Sequence, residues 1–125
     1  MDKNDSQPAP RLRVLFGHAI ALGPGKTNLL ELIAETGSIS AAARRMKMSY
    51  RRAWLLVDTM NRCFRSPLIE TATGGKGGGG AHITELGQEI LRRYREMERK
   101  AAVATLEDMQ AISGYFSDQP PENPH

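Results

Sequence analysis

A chain of 125 residues, 40% of them hydrophobic, holds enough apolar material for one folded domain with tails and too little length for two. No run approaches the roughly 18 to 20 apolar residues needed to span a bilayer, and residues 1–10 are polar and Pro-rich without the apolar segment of a secretory signal, so a cytoplasmic protein with no membrane partner is expected. The net charge of +3 is unevenly placed: between positions 38 and 65, seven cations (Arg44, Arg45, Lys47, Arg51, Arg52, Arg62, Arg65) face one acid, Asp58, giving +6 there and −3 elsewhere.

Residues 1–10 and 117–125, rich in Pro, Asp, Asn and Gln, read as disordered tails. In residues 11–22, Leu12, Val14 and Phe16 alternate with Arg11, Arg13 and Gly17, which predicts a strand. Gly23-Pro24-Gly25 then turns the chain into a helix over 26–36, with Leu29, Leu30, Ile33 and Ala34 as its buried stripe and Gly37 as its stop. Ser38 caps a second helix, 39–46, whose small residues Ala42 and Ala43 allow another helix to approach closely. After a turn at Lys47 and Met48, Ser49 caps a third helix over 50–64, with Ala53, Leu56, Val57, Met60 and Phe64 at helical spacing. Cys63 falls within that pattern and reads as a packed core thiol, and Trp54 reads as core or edge packing.

Ser66-Pro67 ends the third helix. The β-favouring residues 68–73, a run of glycines holding Lys76, and residues 81–83 then form a hairpin. Thr84 caps a long helix over 85–116, carrying Leu86, Ile90, Tyr94, Met97, Ala101, Leu106, Met109, Ile112 and Phe116 and interrupted only by Gly87 and Gly114. The fold class is therefore mainly α with a small β-hairpin: a winged helix-turn-helix over 11–84, then the long helix over 85–116.

In a helix-turn-helix the N-terminal end of the second helix enters the major groove. Here that end carries Ser49, Tyr50, Arg51 and Arg52. Arginine pairs with guanine O6 and N7, and Tyr50 suits a thymine methyl or a phosphate. Ser38 and Ser40 suit phosphate through hydroxyls and helix N–H groups, and Arg44, Arg45 and Lys47 suit the DNA backbone. The glycine-rich hairpin reads as a wing whose one cation, Lys76, reaches phosphate or minor groove. The competing reading of the basic stretch is a solvated face.

These stretches, "TGSISAAARRMKMSYRRAW", "VDTMN", "ATGGKGGGGAHIT" and "TELGQEIL", together with "GPGK" ahead of the first helix, resemble the DNA-binding domain of the ModE family of molybdate-responsive regulators, which is related to the LysR-type domain. The resemblance covers about residues 11–100. The usual turn glycine of the motif is replaced by Lys47. The resemblance implies a dimer, held by the first strand, the long helix and neighbouring surfaces, on a palindromic operator. It places Ser38, Tyr50, Arg51, Arg52 and Lys76 on DNA. The long helix's apolar stripe independently suits a homodimer, through Ile90, Tyr94, Met97, Ala101, Leu106 and Met109. Full-length ModE proteins bind molybdate in C-terminal β-barrel domains. This sequence leaves no room for one, so molybdate binding is not carried over. The protein then works without a ligand, relies on a separate sensor protein, or answers another trigger.

Other classes find little support. "GPGKT" follows a strand and opens a helix, but the phosphate-loop pattern needs a glycine at position 20, which is Ile20. His18, His82, His125 and Cys63 show no metal-ligand spacing, and no nucleophile–base pair suggests an enzyme. No metal or cofactor is expected. The functional expectation is a sequence-specific transcriptional regulator on double-stranded DNA, with a link to molybdenum metabolism by association. The alternative is a protein-interaction or accessory module whose basic helices do not read sequence.

Overall fold

The computed structural model describes residues 9–72 and 80–122. The expected 11–22 strand is instead a hairpin, β1 (Val14–Phe16) and β2 (Ala19–Leu22), with Phe16 opposite Ala19. Gly17, in the left-handed region at φ 61°, makes the two-residue turn with His18. Alternation alone continues smoothly through such a turn, which explains why one strand is expected where two exist.

Helix α1 (Pro24–Thr36) begins earlier than the expected start at Lys26, with Pro24 and Gly25 wound into its first turn and Gly23 as its N-cap. Pro24 supplies a preset φ where a missing N–H costs nothing. Thr27, fully buried, donates its hydroxyl to the Gly23 carbonyl at 2.6 Å. Ala34, expected in the buried stripe, is exposed: Leu29, Leu30 and Ile33 bury one side and Ala34 falls beyond its edge. Gly37 ends α1 at φ 71° and its carbonyl accepts the Ala81 N–H at 2.9 Å, joining that helix end to the wing.

Helices α2 (Ile39–Arg45) and α3 (Tyr50–Cys63) are capped as expected. The Ser38 and Ser49 hydroxyls accept the Ala41 and Arg52 N–H groups, each at 3.0 Å. The turn between them is a Schellman closure in which the Lys47 N–H reaches the Arg44 carbonyl and the Met48 N–H the Ala43 carbonyl. Lys47 holds φ 57°, so it adopts the left-handed conformation of the glycine it replaces.

The wing strands β3 (Ile69–Ala72) and β4 (Gly80–Ile83) pair antiparallel, Ile69 with Ile83 and Ala72 with Gly80. Asn61 fastens α3 to this hairpin. Its Oδ1 accepts the Leu68 and Ile69 N–H groups at 2.8 and 3.1 Å, and its Nδ2 donates to the Ile69 carbonyl at 3.0 Å. Thr84 caps α4 (Glu85–Ala104) and donates to the Pro67 carbonyl at 2.8 Å. A side chain at Gly87 would meet the Leu68 carbonyl oxygen inside contact distance, so only glycine lets α4 start so close to the wing.

The long helix does not run to Phe116. It breaks at Thr105, which has φ −103° and whose hydroxyl donates back to the Ala101 carbonyl at 2.6 Å, a bond that bends helices. A separate α5 (Leu106–Ser113) follows. One apolar core joins the elements through Leu22, Leu29, Leu30, Ile33, Ile39, Ala42, Ala43, Ala53, Val57, Met60, Leu68, Ile69, Ala81 and Tyr94. Tyr94, grouped in sequence with the dimer stripe, points inward at 1% exposure. Arg95 adds a tie from α4 to α1, bonding Glu31 at 2.6 Å and Asn28 at 2.9 Å. No described helix is long and apolar enough to cross a membrane. The architecture is a winged helix-turn-helix.

Candidate nucleic-acid interface

The outward face of α3 is set by where its core face points. Ala53, Val57 and Met60 are buried. At about 100° per residue, Arg51, Leu55, Asp58 and Arg62 then lie opposite them, with Tyr50 and Trp54 along one flank and Arg52 along the other. Tyr50, Arg51 and Arg52 are all exposed, and the first two turns of the helix contain no acid. Ser49 is exposed, with its hydroxyl engaged in the cap.

Trp54 stays outside the core and packs on the helix surface. It is 37% exposed, its indole N–H donates to the Tyr50 hydroxyl, and the two rings meet edge to face with centroids 6.4 Å apart. The spacing of one turn brings these rings together on the face that the core leaves free. Cys63 is half-buried at the end of the helix rather than fully packed.

The remaining α2 candidates divide. Ser38 and Ser40 are half-buried with their hydroxyl oxygens 3.4 Å apart, and the Ser38 oxygen already serves the cap. Arg44 and Lys47 are exposed. Arg45 is exposed too, but pairs with Glu35 at 3.5 Å, a surface contact worth at most about 1 kcal/mol that a phosphate would displace readily. Lys76 lies outside the described residues.

Two cations escaped the sequence reading. Lys26 is half-buried, and burial lowers its pKa below the ordinary lysine value; Arg52 and Arg13 nearby lower it further. Lys26 of α1 thus lies within electrostatic reach of Arg52 in α3 and of Arg13 just ahead of β1, a nearness that sequence distance conceals. Beyond this patch Asp58 pairs with Arg62 at 3.0 Å, so the acid of the outward face is neutralised within its own helix. On the wing, Glu70 and His82 face each other across the strands at 3.3 Å. Leu55 is also absent from the sequence candidates, although its place opposite the apolar stripe could have shown that it points outward. Among the described residues, no group of three His, Cys, Asp or Glu side chains could hold a metal ion.

An exposed, acid-free N-terminal face on the second helix of a helix-turn-helix, flanked by further cations, is built to meet a polyanion and to present donors to base edges. Comparison with known proteins agrees with this architecture. The chain is 43% identical over 77 residues to the molybdenum-pterin-binding protein MopA of Rhodobacter capsulatus, covering 62% of this chain and 29% of that protein. It is 46% identical over 72 residues to the molybdenum transport protein ModE of Herbaspirillum seropedicae, covering 58% and 27%. With the DNA-binding transcriptional dual regulator ModE of Escherichia coli K12 the identity is 45% over 71 residues, covering 57% and 27%. The chain thus spans less than a third of the length of these curated relatives. Residues 26–88, half of the chain, match the family described as bacterial regulatory helix-turn-helix protein, lysR family. That segment runs from the first turn of α1, through α2, α3 and the wing strands, to the first turn of α4, and the chain belongs to this family.

Proposed function

We propose that the protein is a dimeric transcriptional regulator that reads a palindromic operator, with α3 in the major groove and Lys76 of the wing connection on flanking phosphate. The observation that carries this reading is the exposed Tyr50–Arg51–Arg52 face of α3, free of acids for two turns and held in place by the Ser49 cap. Arg51 is the base reader, and Arg44, Arg45, Lys47, Arg52 and Ser40 position the duplex through its backbone.

The second copy is supported by apolar surface that the single chain leaves uncovered. Leu15, Phe16 and Ile20 of the hairpin are exposed, as are Met97 and Leu106, Ile112, Tyr115 and Phe116 of the C-terminal arm. No residue of α5 is buried, and an eight-residue helix is marginal in water without a surface to lie on. Exposed apolar surface of this extent suits a two-fold dimer.

The names of the relatives speak of molybdenum transport and molybdenum-pterin binding. A role in controlling molybdenum-related genes follows as part of the proposal.

The test is a fluorescence titration of promoter DNA from the protein's own gene and its neighbours, with competitor DNA, at two salt concentrations, with and without molybdate. Specific binding that weakens log-linearly with salt and ignores molybdate is expected. Binding that requires molybdate would overturn that expectation and place an oxyanion effect within the residues of this chain. No specific binding under either condition would overturn the regulator reading and favour an interaction module.

A further inference from the structure

We propose that Leu55 reads the 5-methyl group of a thymine, one helical turn beyond the base contacted by Arg51. The inference rests on the DNA-reading function above and adds a specificity-determining residue to it.

Leu55 is 55% exposed at the centre of the outward face of α3. The helix does not need it for folding, because Ala53, Val57 and Met60 are buried and Leu56 and Phe64 pack against the core beside them. A leucine held in water on an otherwise polar face gains from burial only in a complex. Its position says which surface buries it. Leu55 is four residues from Arg51, on the same face and about 6 Å further along the axis. That spacing corresponds to about two base-pair steps at 3.4 Å each.

The chemistry then narrows the base. An aliphatic side chain offers neither donor nor acceptor, so it discriminates only by apolar contact. In the major groove the thymine 5-methyl is the one sizeable apolar group on the base edges, cytosine offering only a C5–H at that position. The neighbours limit the reading surface on two sides: the Tyr50–Trp54 pair on one flank, and the Asp58–Arg62 pair one turn further on. Each half-site is therefore read as a guanine under Arg51 and a thymine under Leu55 within about two base pairs.

The experiment first selects sites from a random duplex library with the full chain. Each selected thymine is then replaced by deoxyuridine, which keeps every hydrogen-bonding group and removes only the methyl. At one thymine per half-site, deoxyuridine should weaken wild-type binding about fourfold, the worth of burying one such carbon. Leu55→Ala, which removes the contact in both half-sites, should weaken binding to the intact site by about the square of that factor and show no further loss on deoxyuridine. Leu55→Gln should behave alike, and both variants, at an exposed helix position, should keep wild-type affinity for non-specific DNA. If Leu55→Ala retains the full deoxyuridine penalty, or binds the intact site as wild type does, the assignment of Leu55 falls while sequence reading by α3 stands. If no site is selected, sequence reading itself fails and the assignment falls with it.

Discussion

The Tyr94 hydroxyl donates to the Leu12 carbonyl oxygen at 2.7 Å, joining α4 to the segment just ahead of β1 across 82 residues of sequence. Burial raises the phenol's pKa, with the nearby Glu98 carboxylate adding to the effect. The folded state therefore holds this proton more tightly than the unfolded chain, whose phenol titrates near 10. The stability from keeping Tyr94 neutral is complete below about pH 10 and is lost as pH rises toward the folded-state pKa. Thermal melts at pH 8 to 11 should show a decline above pH 10 that is weaker in Tyr94→Phe. At pH 7 the same variant should lose about 1 kcal/mol with its missing hydrogen bond. An unchanged alkaline decline in Tyr94→Phe would show that other groups cause it.

Lys47 occupies the left-handed position that closes α2, at φ 57°. An L-residue there costs roughly 1–2 kcal/mol, part of which glycine returns as extra freedom in the unfolded chain. Lys47→Gly should therefore raise stability by about 0.5–1 kcal/mol. It should also weaken binding to all DNA sequences alike and reduce the salt slope by about one, because a phosphate contact is lost. Chemical denaturation and salt-dependent titration on the same samples separate the two effects, and a destabilised variant would contradict the strain argument.

The helix-turn-helix was legible in the sequence because its determinants are local. Ser38 and Ser49 lie directly before their helices, and Ala53, Val57 and Met60 repeat at helical spacing. The misread parts depend on contacts that periodicity does not carry. Gly17 turns a continuous alternating run back on itself, and Thr105 interrupts an apolar repeat that continues on both sides. Tyr94 and Leu106 share one apolar pattern, yet Tyr94 is buried and bonds Leu12 whereas Leu106 is exposed. Within the site, the positions of Arg51 and Arg52 follow from the cap, whereas the nearness of Arg13 and Arg52 to Lys26 exists only once the chain has folded.

The wing is aimed from its base by Asn61 and Gly87. Asn61→Ala would leave the Leu68 and Ile69 N–H groups without their acceptor, and should cost about 2–3 kcal/mol. Gly87→Ala would press a methyl against the Leu68 carbonyl and should cost at least as much as an overpacked core position, about 1–3 kcal/mol. Both should reduce DNA affinity at temperatures where the protein remains folded, because the wing shifts relative to α3. Denaturation and DNA titration at 10 °C check this, and wild-type affinity in both variants would remove the wing's base from the binding account.

Arg51 and Lys76 should fail in different ways. Arg51→Ala removes a base contact and should cost about 1–3 kcal/mol on the operator while relaxing preference at one position of each half-site. Lys76→Ala removes a charge and should weaken every sequence about equally, with a salt slope lower by about one. Competition titrations with single-base operator variants distinguish them. Equal loss on every sequence for Arg51→Ala would make Arg51 a backbone contact.

The C-terminal arm should matter to assembly and not to the fold of one copy. Its exposed Leu106 and Ile112 touch no core, so charging both removes nothing that holds the protomer together. In a two-fold dimer each substitution acts twice. Four aliphatic side chains at about 1.5 kcal/mol each could contribute several powers of ten to the association constant, before the cost of burying a charge is added. Leu106→Glu with Ile112→Glu should thus weaken dimerisation at least about a hundredfold by sedimentation and leave the monomer's melting little changed, with a loss of helix by circular dichroism no larger than α5. The same protein should bind a single half-site as wild type does and lose its advantage on the palindrome, since only the linkage between two reading heads has been cut. A double variant that sediments as a dimer at wild-type concentrations would move the interface to the exposed Leu15, Phe16 and Ile20 of the hairpin.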